Sequence, residues 1–313
     1  MLRSLFLTGA AASAVLAAPA MAGTKLTDYA VQTSGNYSSR GGNDIYGRVA
    51  VGGNVNANAD RLGTHLSAAN ANSPALIVGG NFHYGNSTLS QGDAVYGGIN
   101  TSPRYNQMAT PNGRLYQGTP VDFTALNANA LTLSQRFGAM ATNGNFTSQW
   151  GAGTLTATHS GLNVFSLTGA QFNSLYQLNF VGQAGDVAIV NILGSVNDYL
   201  NFNLGNFDVG SVLFNFVDAT SVASGGIDWK GSILAPKALV SLEGGTVRGS
   251  VVSAGFSAAG ASVQGNAFTG VPAPVAPPIS AVPEPATWAT MIAGFGLVGF
   301  ALRSRRRLPV VAA

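Results

Sequence analysis

Apolar residues in this chain come in short bursts. "ALIVGG" (residues 75–80), "DVAIVNILG" (186–194), "SVLFNF" (211–216) and "GSVVSAG" (249–255) are rich in β-branched and aromatic side chains. Each is too short for a typical helix and is bounded by residues that favour turns. Glycine occurs 41 times and asparagine is frequent, so tight turns with positive φ must be common. The pattern predicts a mainly β body.

The bursts recur. Gly-Ser-(Val/Ile) begins at Gly194, Gly210, Gly231 and Gly249, and Gly265-Asn266 closes the series. Nearer the start, "VAVGGNV" (49–55), "LIVGGNF" (76–82) and "VYGGIN" (95–100) share a double-glycine turn. Units of about 16–21 residues suit one coil of a parallel β-solenoid, in which stacking makes one long core. The predicted fold is a right-handed parallel β-solenoid. The alternative is a β-sandwich, which also turns often. In "ALVSLEGG" (238–245) Leu239 is expected to point inward.

One stretch has helical spacing. Phe123, Leu126, Ala130, Leu133, Phe137 and Met140 follow at steps of three and four, with Asp122 to cap the start and Gly144 beyond the end. The spacing predicts one amphipathic helix over about 123–141, packed on the β body. Arg136 is its only basic residue, which argues against a membrane-surface role.

Both ends carry different patterns. Residues 1–22 have Arg3, an apolar stretch and then Ala20-Met21-Ala22. That is the layout of a secretory signal peptide cleaved before Gly23. After the body (23–270), the Pro-rich stretch 271–281 reads as a semi-extended linker. Pro283-Glu284-Pro285 then precede an apolar run (287–302), a membrane-span candidate of about sixteen residues. Arg303, Arg305, Arg306 and Arg307 follow, with a short tail at 308–313. By the positive-inside rule these arginines stay in the cytoplasm.

Charge changes the picture little. From Gly23 to Ala281 there are ten Lys and Arg against eleven Asp and Glu, so the formal net charge of +3 belongs to the two ends. No basic stripe exists to neutralise phosphates, so nucleic acid is not an expected partner. The chain has no cysteine. An exported body must then be held by burial and hydrogen bonding.

The tail resembles the PEP-CTERM sorting signal of Gram-negative bacteria, on the residues 282–307 just described. The resemblance implies processing near Pro283–Pro285 by an exosortase, a membrane cysteine peptidase. It also implies a transient inner-membrane precursor, then a cell-surface or extracellular product. The body, on "YSSRGGNDIYGRVAVGGNV", "ALIVGGNFHYGNSTLSQGDAVYGG", "GSILAPKALVSLEGGTVRGSVV" and Asn215 to Thr220 ("NFVDAT"), resembles the choice-of-anchor A family. In that family a secreted adhesive β domain is joined to different anchoring tails. The resemblance implies no catalytic residue, cofactor or metal ligand.

Chemistry is sparsely represented. His65, His83 and His159 have no metal-ligand spacing, and no nucleotide-binding glycine motif or nucleophile elbow occurs. Asp198, Asp208, Asp218 and Asp228 recur every ten residues. Were coils twenty residues long, Asp208 could stack on Asp228, and Asp198 on Asp218, to hold calcium or cleave a polysaccharide. The simpler reading is that aspartate favours turns. Three functions follow. The first is a non-enzymatic adhesive protein contacting exopolysaccharide or other cells. The second is a carbohydrate-active β-helix enzyme, a lyase or hydrolase. The third, ice or mineral binding, rests on "TLTATHS" (154–160).

Overall fold

The strand Val31–Thr33 lies between two parallel partners, with Val31 opposite Val49 on one side and Val251 on the other. The computed structural model describes residues 25–270, except positions 72, 106, 120 and 199. Over these residues the chain winds as a parallel β-solenoid with three strand-bearing sides. Strand direction excludes the sandwich. Among the described strands, only Asn145–Gln149 and Ala152–Thr156 pair antiparallel.

The first side runs in the order Leu115–Gln117, Asp93–Tyr96, Pro74–Val78, Val49–Val51, Val31–Thr33, Val251–Ala259, Ser232–Glu243, Val212–Phe216, Val187–Leu193, Leu162–Thr168. Coils are therefore not stacked in chain order. The N-terminal portion grows from the middle toward Leu115–Gln117. The chain then passes through a helix, restarts at the opposite end and winds back until residues 251–253 dock on 31–33. The body's two ends meet there, where the Leu26 N–H donates to the Phe268 carbonyl at 2.8 Å.

The helix spans Phe123–Gly138, and the Asp122 side chain accepts from the Ala125 N–H at its start. It lies on the first side and buries Ala130, Ser134 and Phe137. Ile189, Leu213, Leu234 and Val252 are buried in the same cluster as Ala130 and Phe137. With both faces covered, strands of this side read as continuous apolar runs, and all five residues of Val212–Phe216 are buried. Two buried asparagines break those runs and fix the helix. Asn215 donates to the Ser134 carbonyl (2.9 Å) and to Asn191 Oδ1 (2.8 Å), while Asn191 donates to the Phe137 carbonyl (2.8 Å).

The corner after the first side explains the double glycines. Asn36 Oδ1 accepts from the Asn54 N–H, Asn54 Oδ1 from Asn81, and Asn81 Oδ1 from Ile99, at offsets of 18, 27 and 18 residues. Each ladder amide lies against the glycine one coil on. A Cβ on Gly53 would sit 2.4 Å from Asn36 Oδ1, and one on Gly80 would sit 2.4 Å from Asn54 Oδ1. Only glycine fits.

Leu239 departs from expectation. Its side chain is 48 % exposed, whereas Ala238, Val240 and Leu242 are buried. The strand Ser232–Glu243 bends from the first side onto the second, which holds Tyr37–Ser39, Val55–Asn58, Phe82–Gly85 and Ser221–Gly225, with a register shift between Ala235 and Leu239. Past the bend, strand alternation puts Leu239 outward with Lys237 and Glu243.

Candidate binding face

The third side is built from strands of two residues, in the order Asp228–Trp229, Thr246–Val247, Ser262–Val263, Asp44–Ile45, Arg61–Leu62, Thr88–Leu89. Alternation does the rest. The second residues, from Trp229 to Leu89, form a buried stack inside the solenoid. The first residues form an outward row in register: Asp228, Thr246, Ser262, Asp44, Arg61 and Thr88. At a strand spacing of about 4.8 Å, six such positions extend over about 24 Å.

Charges along this row are paired. Arg248 Nε donates to Asp228 at 2.6 Å, and Arg61 donates to Asp44 at 2.8 Å. Tyr46 and His65 stack beside the row with ring centroids 3.7 Å apart.

The structure separates the expected carboxylate pairs. Asp228 belongs to the third side, in register with Thr246. Asp208 instead precedes the short 3-10 turn Val209–Ser211 that leads into the first side, where its backbone carbonyl, not its carboxylate, accepts from the Ser211 N–H. Asp198 is in register with Ser224, while the Asp218 side chain accepts from the Gly194 N–H at a corner. Ten residues is not half of a uniform coil, because the coil offsets here fall from 24 residues (Asn191 to Asn215) through 19 (Leu213 to Ser232) to 18 (Ser232 to Ser250). Neither pair stacks.

The histidines are also apart. His65 stacks on Tyr46, His83 Nδ1 lies 3.0 Å from the Thr101 carbonyl, and His159 adjoins Thr158. Among the described residues no three His, Cys, Asp or Glu side chains gather as a metal site would require.

A buried polar knot lies at the corner between the second and third sides. Asp60 accepts from Tyr37 OH (2.7 Å), Ser39 Oγ (2.7 Å) and Asn43 Nδ2 (2.8 Å). Burial pushes the Asp60 carboxyl above its ordinary value, although these three donors pull it down. Its partners are all structural, and it joins coils of the N-terminal portion.

Sequence reasoning missed a second outward face. Asn145–Gln149, Ala152–Thr156, Gln177–Val181 and Asn201–Asn203 form a separate four-stranded sheet. Its outward positions align as Gln149, Ala152, Gln177, Asn201 and as Thr147, Thr154, Asn179, Asn203. Thr154 and Thr156, part of the Thr-rich stretch, are on this face. The tip of its hairpin is Trp150-Gly151, with φ of 49° and 80°. Left-handed backbone at a bulky residue costs about 1–3 kcal/mol. Trp150 is nonetheless 89 % exposed, and Tyr176 beside it is 57 % exposed. A signal was present in the "WG" dipeptide at a strand turn, where Asn-Gly is the usual choice.

Residues 22–265 match the family described as "Putative Ice-binding-like adhesive domain". The chain belongs to that family. Residues 281–307 match the PEP-CTERM protein-sorting motif, so the adhesive domain is carried by an exported protein sorted to the cell surface. Among solved structures, an ice-binding protein from an Antarctic biological consortium is 15% identical, with 79% of this chain and 94% of that one covered and a TM-score of 0.42. A glycosylated ice-binding protein from an Arctic yeast is 19% identical, covering 64% and 93%, with a TM-score of 0.39. No curated protein matches the chain. The residues expected to direct processing lie outside the described residues: Ala20, Ala22 and Gly23, Pro283 to Pro285, the run 287–302 and Arg303 to Arg307. Within the described residues, no helix is long and apolar enough to cross a membrane.

Proposed function

We propose that this is a secreted, non-enzymatic adhesive protein of a Gram-negative bacterium, of the choice-of-anchor A type. In this reading its adhesive domain contacts exopolysaccharide matrix or neighbouring cells, and an exosortase cleaves the precursor near Pro283–Pro285. The observation that carries it is the outward row Asp228, Thr246, Ser262, Asp44, Arg61, Thr88, held in register on a rigid stack. Apart from Ser262, whose Oγ is buried, these side chains offer shallow hydrogen-bonding positions at a fixed repeat, which suits a long polymer. Chemistry on that polymer would need two convergent carboxylates. Asp208 precedes a turn into the first side while Asp228 lies on the third side, paired with Arg248, which speaks against the lyase or hydrolase reading.

The test uses the secreted protein and the producer's own exopolysaccharide. Co-sedimentation with polymer and no release of reducing ends is the expected result. Steady depolymerisation that an Asp228→Asn variant abolishes would replace this reading with the enzymatic one.

A further inference from the structure

We infer that the four-stranded sheet ending in the Trp150 hairpin is a binding site for a neutral polysaccharide chain. The inference rests on the adhesive reading and adds to the row from Asp228 to Thr88 a second place of contact, with its own ligand class.

Its first support is local conformation. Gln149 pairs with Ala152, so Trp150-Gly151 is a two-residue hairpin loop with positive φ at both positions. Such a loop strongly favours Asn-Gly. Asparagine is abundant throughout the chain, yet the strained position holds a tryptophan whose side chain packs little. Strain kept at an exposed residue points to function.

The second support is a neighbouring aromatic. The Tyr176 N–H donates to the Gly151 carbonyl at 2.9 Å, and a Cβ on Gly151 would lie 3.0 Å from Tyr176 Cδ1. The hairpin tip thus packs against the Tyr176 ring. Together with Thr147, Gln149 and Thr154, the two aromatics bound an open depression of about 590 Å³. Exposed tryptophan and tyrosine present an apolar ring face with a polar tip. The apolar C–H faces of a pyranose complement such rings.

Third comes charge. The two outward rows are amides, hydroxyls and one alanine, with no ionisable group among them. No lysine or arginine occurs between Arg136 and Lys230. Lys230 reaches only the opposite edge of the sheet, where its ammonium donates to the Phe202 carbonyl at 3.0 Å, and none of the residues that bound the depression is charged, so an anionic polymer would find no cation beside Trp150. Sugar hydroxyls, which donate and accept, match Asn, Gln and Thr side chains on both counts. An open sheet face without walls also fits a chain passing along it better than a single small sugar.

The experiment uses the secreted protein in affinity electrophoresis through gels containing dextran, barley β-glucan or galactomannan, with alginate as the anionic comparison. Retardation by at least one neutral polymer and none by alginate is expected. Trp150→Asn should weaken that retardation by at least about tenfold while raising the melting temperature, because it restores the favoured Asn-Gly turn. Tyr176→Ala should weaken binding as well, and Trp150→Phe should retain part of it. A residue with only a structural role would not give higher stability together with lost binding. If no neutral polymer retards the protein, or if Trp150→Asn binds as the parent does, the site is refuted. The adhesive reading survives that refutation when the Trp150→Asn protein still sediments with the producer's exopolysaccharide. It falls when the parent fails to sediment.

Discussion

Val31 and Val251 are parallel partners, although they belong to the first and last coils of the folded body. The solenoid is therefore closed in its middle by the two ends of the body, and neither portion is complete without the other. Removing this contact leaves the strand edges at Val31–Thr33 and Val251–Ala259 unpaired, in the centre of the first side.

Val251→Asp should consequently do more than weaken one coil. Val251 is fully buried, and an unpaired charge there costs several kcal/mol. The secreted variant should show a lower melting temperature by far-UV circular dichroism and gain proteolytic sites in both portions. Cleavage confined to residues after the helix would mean that the N-terminal coils stand alone.

Adjacent residues of one strand should respond oppositely. Val240→Asp places a charge in the core and should cost about 4 kcal/mol or more. Leu239→Asp, on the outward face, should stay within about 1 kcal/mol of the parent. Urea denaturation of the pair checks the bend at Ala235 to Leu239; equal losses would contradict it.

The asparagine ladder separates a lost bond from a collision. Asn54→Ala removes one partly exposed side-chain acceptor and should cost about 0.5–1.5 kcal/mol. Gly80→Ala forces a Cβ to within 2.4 Å of Asn54 Oδ1 and 2.7 Å of the Gly53 carbonyl, so the coils must shift. Its loss in thermal stability should be the larger of the two.

Asp60 gives the fold a pH dependence of definite sign. Its carboxyl is raised by burial above the ordinary 3.8, so the folded protein holds that proton to a higher pH than the unfolded chain does. Between 3.8 and the raised value, stability contributed by the protonated group falls as pH increases. Melting temperatures from pH 3 upward should show this slope in the parent, and Asp60→Asn should lack it. An identical slope in both proteins would assign the effect to other carboxylates.

Processing can be read by mass. The extracellular product is expected to begin near Gly23 and end near Pro283–Pro285. Replacing Glu284 with Ala should leave the precursor in the inner membrane, because the apolar run and arginines remain. Recovery of Arg303 to Arg307 in the secreted protein would sink the exosortase reading.

The sequence by itself determined what is local. Strand type, the double-glycine corners and the helix beginning at Phe123 follow from side-chain shape, turn conformation and periodicity, each acting over a few residues. It also carried the sorting tail, whose three parts are contiguous. Tertiary structure decided what depends on distant neighbours. The order of coils is set where Val31 meets Val251, and no local propensity encodes a partner that far along the chain. The inward or outward sense of Leu239 depends on a corner that shifts the register by its contact with the strand Val251–Ala259. The regular ten-residue aspartates dispersed because coil length varies with each corner loop, which stacking tolerates as long as the strands stay aligned. The rows around Trp150 are drawn from four strands, and only the pairing that buries Leu155, Leu178 and Phe202 on the other side brings their amides and hydroxyls onto one face.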